Sequence, residues 1–338
     1  MIISRAPLRI SFFGGGTDYP EYFRSEPGAV LAAAIDKYAY IVASAFPSQL
    51  FDYTVRVQYR KVESTTSVAA IEHNVYRECL KLCGLERDIE LHHMADMPSF
   101  TGLGSSSSFT VALLHALHSH KGEFVRPLDL AYEAIYVERQ CLHENVGCQD
   151  QTLAAVGGLR LIEFRAEDDI QTQIVPVSPA RLAELEAHLF LVFTRITRKA
   201  SEVAGQQLNR LEANRPTLRR MRAMVDRGWD LLTSAQPIEA FGALLHEAWQ
   251  AKHSLDGGVS TPEIDALYRR GRAAGALGGK LLGAGGGGFL LFFAPPATHA
   301  ALQREFAEHQ LAQVGLGAPG AHVVLAEPDT AWSLPRVG

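Results

Sequence analysis

Pro98-Ser-Phe-Thr-Gly-Leu-Gly-Ser-Ser-Ser-Ser-Phe109, running straight into Thr110-Val-Ala-Leu-Leu-His-Ala-Leu117, decides how the rest of this chain is read. Gly102 and Gly104 stand just before the serine run Ser105–Ser108, and apolar residues then return at helical spacing. Glycine lets backbone N–H groups turn toward one point with no Cβ in the way. A helix that opens after such a turn aims its free N–H groups, and the positive end of its dipole, at that same point. The product is an anion pocket suited to phosphate. Serine hydroxyls add donors and hard oxygen ligands for Mg²⁺. Gly102, Leu103, Gly104, Ser105, Ser106, Ser107 and Ser108 are therefore candidate phosphate-binding residues. The competing reading is a flexible Gly/Ser loop with a serine N-cap.

Outward from this stretch, Ile89 to Met94 reads as a short strand leading in, and 109–120 as the helix leading out. Upstream, Ile2 to Phe13 is a strand broken by Pro7, ending at Gly14-Gly-Gly-Thr-Asp-Tyr-Pro20. Three glycines after a strand mean a sharp turn or a loop that faces a ligand. Ala29 to Ala45 crosses the core as strand, Thr54 to Val62 alternates as a half-exposed strand, and Asn74 to Cys83 is helical. Downstream, a helix of about 129–144 exits into Glu144-Asn-Val-Gly-Cys-Gln-Asp-Gln151, an irregular stretch before the strand Leu159 to Phe164. The polar segment from Glu167, with Pro176 and Pro179, divides the chain into residues 1–180 and 181–338. The second half reads as helix, strand Leu189 to Thr194, an Arg-rich helical region to Leu232, and a helix of about 237–252. Thr261-Pro-Glu263 opens a further helix with a Thr cap and Pro in its first turn. Lys280-Leu-Leu-Gly-Ala-Gly-Gly-Gly-Gly288, the strand Phe289 to Phe293, a helix of about 297–312 and a strand at His322 to Leu325 close the chain.

The totals exclude several classes. With 338 residues, 47% hydrophobic and 20% charged, the chain is globular and long enough for two domains. A net charge of −5 without any Lys/Arg run argues against a nucleic-acid surface. No apolar run is long enough to span a bilayer, and the N-terminus lacks the features of a signal peptide, so no membrane role and a cytoplasmic location are expected. The four scattered cysteines read as buried free thiols.

Three glycine-rich loops in one chain are hard to explain as turns, and they fit backbone laid against phosphates or a sugar. Neither a Gly-Lys-[Ser/Thr] phosphate loop nor a dinucleotide fingerprint is present. Phosphoryl transfer needs amides on the phosphates, oxygens for Mg²⁺, a carboxylate on the acceptor hydroxyl and a cation near the transferred group. Ser106 and Glu138 are candidate Mg²⁺ ligands, Asp150 the carboxylate and Arg9 the cation. Taken singly, Glu138 also reads as a solvated helix residue and Asp150 as a cap.

These motifs, in this order, resemble the GHMP kinases. The resemblance rests on Ala6-Pro-Leu-Arg-Ile-Ser-Phe-Phe-Gly-Gly-Gly-Thr-Asp18, on the Pro-x₃-Gly-Leu-Gly-Ser-Ser loop at Pro98 to Ser106, and on Lys280 to Gly288. It covers nearly the whole chain. It implies an α+β fold: an N-terminal ribosomal-protein-S5-domain-2-like α/β domain, with a left-handed crossover, and a C-terminal ferredoxin-like domain, ATP and acceptor meeting between them. It also implies ATP on Gly102–Ser108, Mg²⁺ on Ser106 and Glu138, Asp150 as catalytic carboxylate, and Arg9 beside the transferred phosphate. Asp18 in Thr-Asp-Tyr matches a sugar-contacting aspartate, so Gly15, Gly16, Thr17 and Asp18, with Gly285 and Gly286, are expected at the substrate. The Gly-Gly-Gly-Thr-Asp form departs from the galactose enzymes, which carry Glu and His there. It is most similar to the branch that phosphorylates the anomeric hydroxyl of heptose 7-phosphate. The implied partners are a small-molecule sugar phosphate and ATP, for a monomer or homodimer. A phosphorylated acceptor needs cations, and Arg195, Arg198, Lys199, Lys252 and His253 are the candidates; each reads equally as a solvated surface charge.

Overall fold

Two long neighbouring strands, β1 (Ile2–Phe13) and β2 (Gly28–Ala45), frame this computed structural model, which describes residues 1–166, 169–197 and 200–327. They pair antiparallel, with register shifts between Pro7 and Arg9 and between Ser11 and Phe13. Proline has no N–H to give a ladder, so a strand carrying one slips its register there. β2 is long enough to serve two neighbours in turn. Its first part pairs with β6 (Leu159–Ala166) and its last with β5 (Ile89–Ala95). β5 continues, in parallel, to β3 (Val55–Gln58), and β3 to β4 (Val62–Thr65); β6 continues to β7 (Asp169–Ile174). The second sheet is antiparallel and four-stranded: β8 (Leu189–Phe193), β9 (Gly278–Leu281), β10 (Phe289–Phe293) and β11 (Leu311–Ala312), in the order β11-β8-β10-β9. The last strand, β12 (His322–Ala326), returns to the first sheet and pairs with Ile2–Arg5 of β1, making that sheet eight-stranded.

Side-chain size explains the layers. Ala39 and Ala43 of β2 and Ala6 of β1 are buried and small, so the helix Ser105–His120 packs closely on that face. The helices Asn74–Leu82 and Pro127–Tyr136 complete this core. On β1, Leu8, Ile10 and Phe12 alternate into the other core, shared with the second sheet and with the helices Leu211–Thr233 and Glu239–His253. Phe241 packs edge-on to Phe12 and Phe13 at 5.3 and 5.0 Å between ring centroids, joining the two sheets' cores.

Several boundaries differ from the sequence reading. The helix expected at 109–120 begins at Ser105. The helix expected to reach 144 ends at Tyr136 and widens into a π-turn over Val137–Cys141. The polar segment read as a divider carries β7, an edge strand with few apolar residues to show. The Arg-rich region is two helices, Ala200–Leu208 and Leu211–Thr233. The helix expected over 297–312 is the short His299–Glu305, followed by β11. Cys79 and Cys83 are buried free thiols, Cys148 is buried, and Cys141 is half-buried. Among the described residues no helix is long and apolar enough to cross a membrane.

Candidate active site

β12 covers β1 only as far as Arg5, which leaves the next stretch of that edge open. The glycine–serine loop takes it. The Arg9 N–H donates to the Leu103 carbonyl at 2.9 Å, and the Ser108 hydroxyl donates to the Pro7 carbonyl at 2.7 Å. Gly104 caps the helix Ser105–His120 with a left-handed φ of +75°. A Cβ there would lie 3.2 Å from Arg9 Cγ and 3.3 Å from Asp150 Oδ2. Gly104, Ser105, Ser106 and Ser107 line a cleft of about 1080 Å³, and the first-turn amides of the helix, lacking intrahelical acceptors, open toward it. Leu103 is buried and serves as the anchor.

Across the loop stands a buried ion pair. Arg9, 4% exposed, donates from Nε to Asp150 Oδ1 at 2.6 Å and from Nη2 to Oδ2 at 2.5 Å, while Nη1 donates to the Gly102 carbonyl at 2.7 Å. This two-bond fork fixes the plane of the carboxylate as well as its position. Asp150 does not sit in an irregular stretch, as its sequence surroundings implied. It lies in the first turn of the helix Gln149–Val156 and stays partly open to the cleft.

Asp18 reaches the same place from the glycine loop after β1. Its Oδ1 accepts from the Gly16 N–H at 2.9 Å and its Oδ2 from the Gln149 side-chain amide at 3.0 Å. Burial, and then the charge of Asp150, raise its carboxyl above the ordinary range. Gly147 must be glycine here, because a Cβ would fall 2.0 Å from Asp18 Oδ2. Gly15 and Gly16 line the cleft, but Thr17 does not face it. The Thr17 hydroxyl bonds the Gly14 carbonyl at 2.8 Å and accepts from the Ala29 N–H at 3.1 Å, which staples the loop to β2.

Glu138 lies in the π-turn beneath the serine helix, 1% exposed. Ser107 donates to its Oε2 at 2.9 Å and Gln151 at 2.5 Å, whereas its Oε1 has no hydrogen-bond partner. Burial pushes its carboxyl up to about 7, against the pull of the Thr110 hydroxyl and then of Ser107 and Gln151. An orphaned buried carboxylate oxygen, with the exposed Ser106 hydroxyl at the mouth of the same helix, suits Mg²⁺, which takes one or two protein oxygens and completes its shell from phosphates and water. Among the described residues no group of three or more His, Cys, Asp or Glu side chains forms a metal cage.

The third glycine motif has a different task from the one its composition implied. Gly283 packs on the phosphate loop, a Cβ there falling 2.7 Å from Gly102 Cα, and one on Gly288 would fall 2.4 Å from the Thr101 carbonyl. Gly285 and Gly286, expected at the substrate, lie against Val259 instead, with Gly286 N–H donating to its carbonyl at 2.9 Å. The motif braces the loop, backbone against backbone. Arg195 is turned to the Glu308 carbonyl and His253 to Asp265, neither lining the cleft, and Arg198 and Lys199 lie outside the described residues.

Two lysines enter the site. Lys280, which had no assigned role, donates to the Ser11 and Phe12 carbonyls at 2.8 and 2.9 Å. Lys252 donates to the Leu281 carbonyl at 2.9 Å and to that of Gly283. Sequence also gave no sign of the far end of the cleft, where Tyr59, His73, His93 and Phe109 gather around an apolar wall. Burial holds the His93 imidazole down at about 4, hence neutral. A wall of neutral aromatic rings there suits a flat heterocycle.

Comparison with known proteins shows the family. Residues 67–158 match the family GHMP kinases N terminal domain, and residues 231–312 match GHMP kinases C terminal. The chain is 29% identical over 87% of its length to a D-glycero-alpha-D-manno-heptose 7-phosphate kinase of Campylobacter jejuni, covering 90% of that protein. It is 25% identical over 90% of its length to the bifunctional fucokinase/GDP-fucose pyrophosphorylase of Arabidopsis thaliana, of which it spans 31%. Among solved structures, a D-glycero-D-manno-heptose 1-phosphate kinase from Bacteroides thetaiotaomicron superposes with a TM-score of 0.80 at 22% identity, over 97% of this chain and 100% of that one. The galactokinase of Lactococcus lactis complexed with galactose gives 0.74 at 20% identity, over 95% and 94%. These structural likenesses carry the fold: two α+β halves of the kind the motifs implied.

Proposed function

Because the chain belongs to the GHMP kinase family, we propose that it is an ATP- and Mg²⁺-dependent kinase that phosphorylates the anomeric hydroxyl of a sugar phosphate, D-glycero-D-manno-heptose 7-phosphate, to the 1,7-bisphosphate. The observation that carries the reading is the Arg9–Asp150 pair held over Gly104, in the same cleft as the free amides of Ser105–Ser107. The names of two relatives, each a heptose phosphate kinase, support the choice of acceptor.

In this account the triphosphate lies on the first-turn amides of the serine helix. Ser106 and Glu138 would hold Mg²⁺, which would neutralise charge on the phosphates. Asp18 and the Gly15–Gly16 backbone orient the sugar. Asp150, its plane fixed by Arg9, points its free lone pairs at the C1 hydroxyl and takes its proton as that oxygen bonds to the terminal phosphorus and the bond from that phosphorus to the bridging oxygen breaks, ADP leaving with the electron pair. Arg9 and the loop amides meet the charge that develops on the transferring group. The product is of the kind that supplies nucleotide-activated heptose for surface glycans.

The test is to offer the purified protein ATP, Mg²⁺ and, separately, heptose 7-phosphate, galactose, fucose and mevalonate. ADP release only with the heptose phosphate, with an anomeric phosphate seen by ³¹P NMR, is expected. Turnover of mevalonate would overturn the acceptor, and sugar binding with no ADP release from any acceptor would mark a catalytically silent relative.

A further inference from the structure

Two buried lysine side chains lining the cleft have no place in the scheme above. Lys280 is 4% exposed and Lys252 is 7% exposed. Each donates two hydrogen bonds to backbone carbonyls, Lys280 to Ser11 and Phe12 of β1, Lys252 to Leu281 and Gly283. Neither has a carboxylate partner among the described residues. The two carboxylates of the site are taken: Asp150 by Arg9, Asp18 by backbone and side-chain amides. Buried charge without a counter-ion is costly, and proteins keep it where a ligand completes the pair. Both lysines line the cleft, and each lies within the field of Arg9.

We propose that Lys252 and Lys280 form an anion subsite between the two sheets that holds a phosphoryl dianion. It rests on the kinase reading only for the origin of that group, which is either the phosphoryl in transfer or the phosphate the acceptor already carries. The unliganded site is poised for this. Burial, then the neighbouring cations, push Lys252 well below its ordinary range; burial and Arg9 bring Lys280 down to about 7, against the opposing pull of Asp18. The charged groups facing Lys280 are Arg9 from β1, Asp18 from the glycine loop and Lys252 from its helix; those facing Lys252 are Lys280 and Arg9. An arriving dianion favours the ammonium form, so the amine takes a proton from solvent as the anion binds.

The first test needs no turnover. Inorganic phosphate binding to the wild-type protein is measured at pH 8 by calorimetry, in two buffers of different ionisation enthalpy. Proton uptake on binding is expected, with a tenfold or greater loss of phosphate affinity in Lys280→Met and in Lys252→Met. Unchanged affinity in folded variants, or binding to wild type without proton uptake, overturns the subsite while leaving the kinase reading standing. The second test finds the source. If the subsite holds the acceptor's phosphate, the variants raise KM for heptose 7-phosphate at least tenfold and spare unphosphorylated heptose. If it holds the transferring group, they lower kcat for both sugars with KM little changed. A purely structural pair of lysines would lower thermal stability and move neither number.

Discussion

Asp150 is the residue on which the chemistry turns, and its geometry makes a specific demand. Asp150→Asn keeps the size and can still meet Arg9 through its carbonyl oxygen, but it cannot take a proton. We expect kcat to fall by about 10²–10⁴, the usual worth of a positioned base, with KM for ATP nearly unchanged in steady-state kinetics. A kcat near that of the wild type would refute the base assignment. Gly104 makes a second demand. A side chain there meets Arg9 and Asp150 and has to adopt a left-handed backbone, so Gly104→Ala should cost roughly 1–2 kcal/mol in denaturant unfolding and lower kcat as well. At this scale much of the site was legible. Arg9, Asp18, Ser106 and Asp150 each sit in a dense local motif, and a motif is what a sequence displays; Glu138 sits in none, and taken singly it looks like a solvated helix residue, whereas the fold buries it. Thr17 was misread because a hydroxyl beside an aspartate looks alike whether it faces a ligand or its own backbone. Lys280 lies within a glycine motif that shows nothing of its task, because the carbonyls it bonds lie 269 and 268 positions away.

At the scale of elements, the serine helix is held by contacts that a propensity scale does not see. Serine favours caps and turns over helix interiors, so the run Ser105–Ser108 masked the helix start. In the fold Ser107 is spent on Glu138 and Ser108 on Pro7, which turns a weak helix former into a fastening. Ser108→Ala leaves the Pro7 carbonyl without that donor. It should destabilise the protein by about 1–3 kcal/mol, read as a lower thermal midpoint. If the midpoint does not move, the loop is held by other means. The brace behind the loop is less forgiving, since Gly283 meets Gly102 Cα and not a movable side chain. Gly283→Ala should therefore raise KM for ATP by displacing the phosphate loop, and an unchanged KM with normal stability would contradict the brace. β7 and the short helix His299–Glu305 escaped the sequence reading for ordinary reasons. The first is a polar edge strand with one neighbour, and the second is too short to build a period.

For the whole molecule, the defining feature is a cleft whose walls come from both sheets, with β12, late in the described residues, lying beside β1. The motif order announced this plan, but the return of the last strand to the first sheet had no local signal. Lys280 links the walls, and its burial ties stability to pH. With its ammonium brought down to about 7 in the fold, against 10.5 ordinarily, the unfolded chain binds more protons than the folded one between those values. Stability in phosphate-free buffer should therefore rise with pH across that window. Denaturant midpoints at pH 7.5 and pH 9 check it: the rise should be larger in the wild type than in Lys280→Met, and equal slopes would show that Lys280 stays charged.

All of this converges on where the triphosphate lies relative to the Asp150 carboxylate. The direct measurement is a crystal structure with Mg²⁺ and a non-hydrolysable ATP analogue. The account predicts its phosphates on the amides of Ser105–Ser107, with the terminal phosphate next to Arg9 and facing Asp150. A terminal phosphate bound elsewhere, or turned away from Asp150 with the amides of the serine helix left to water, would contradict it.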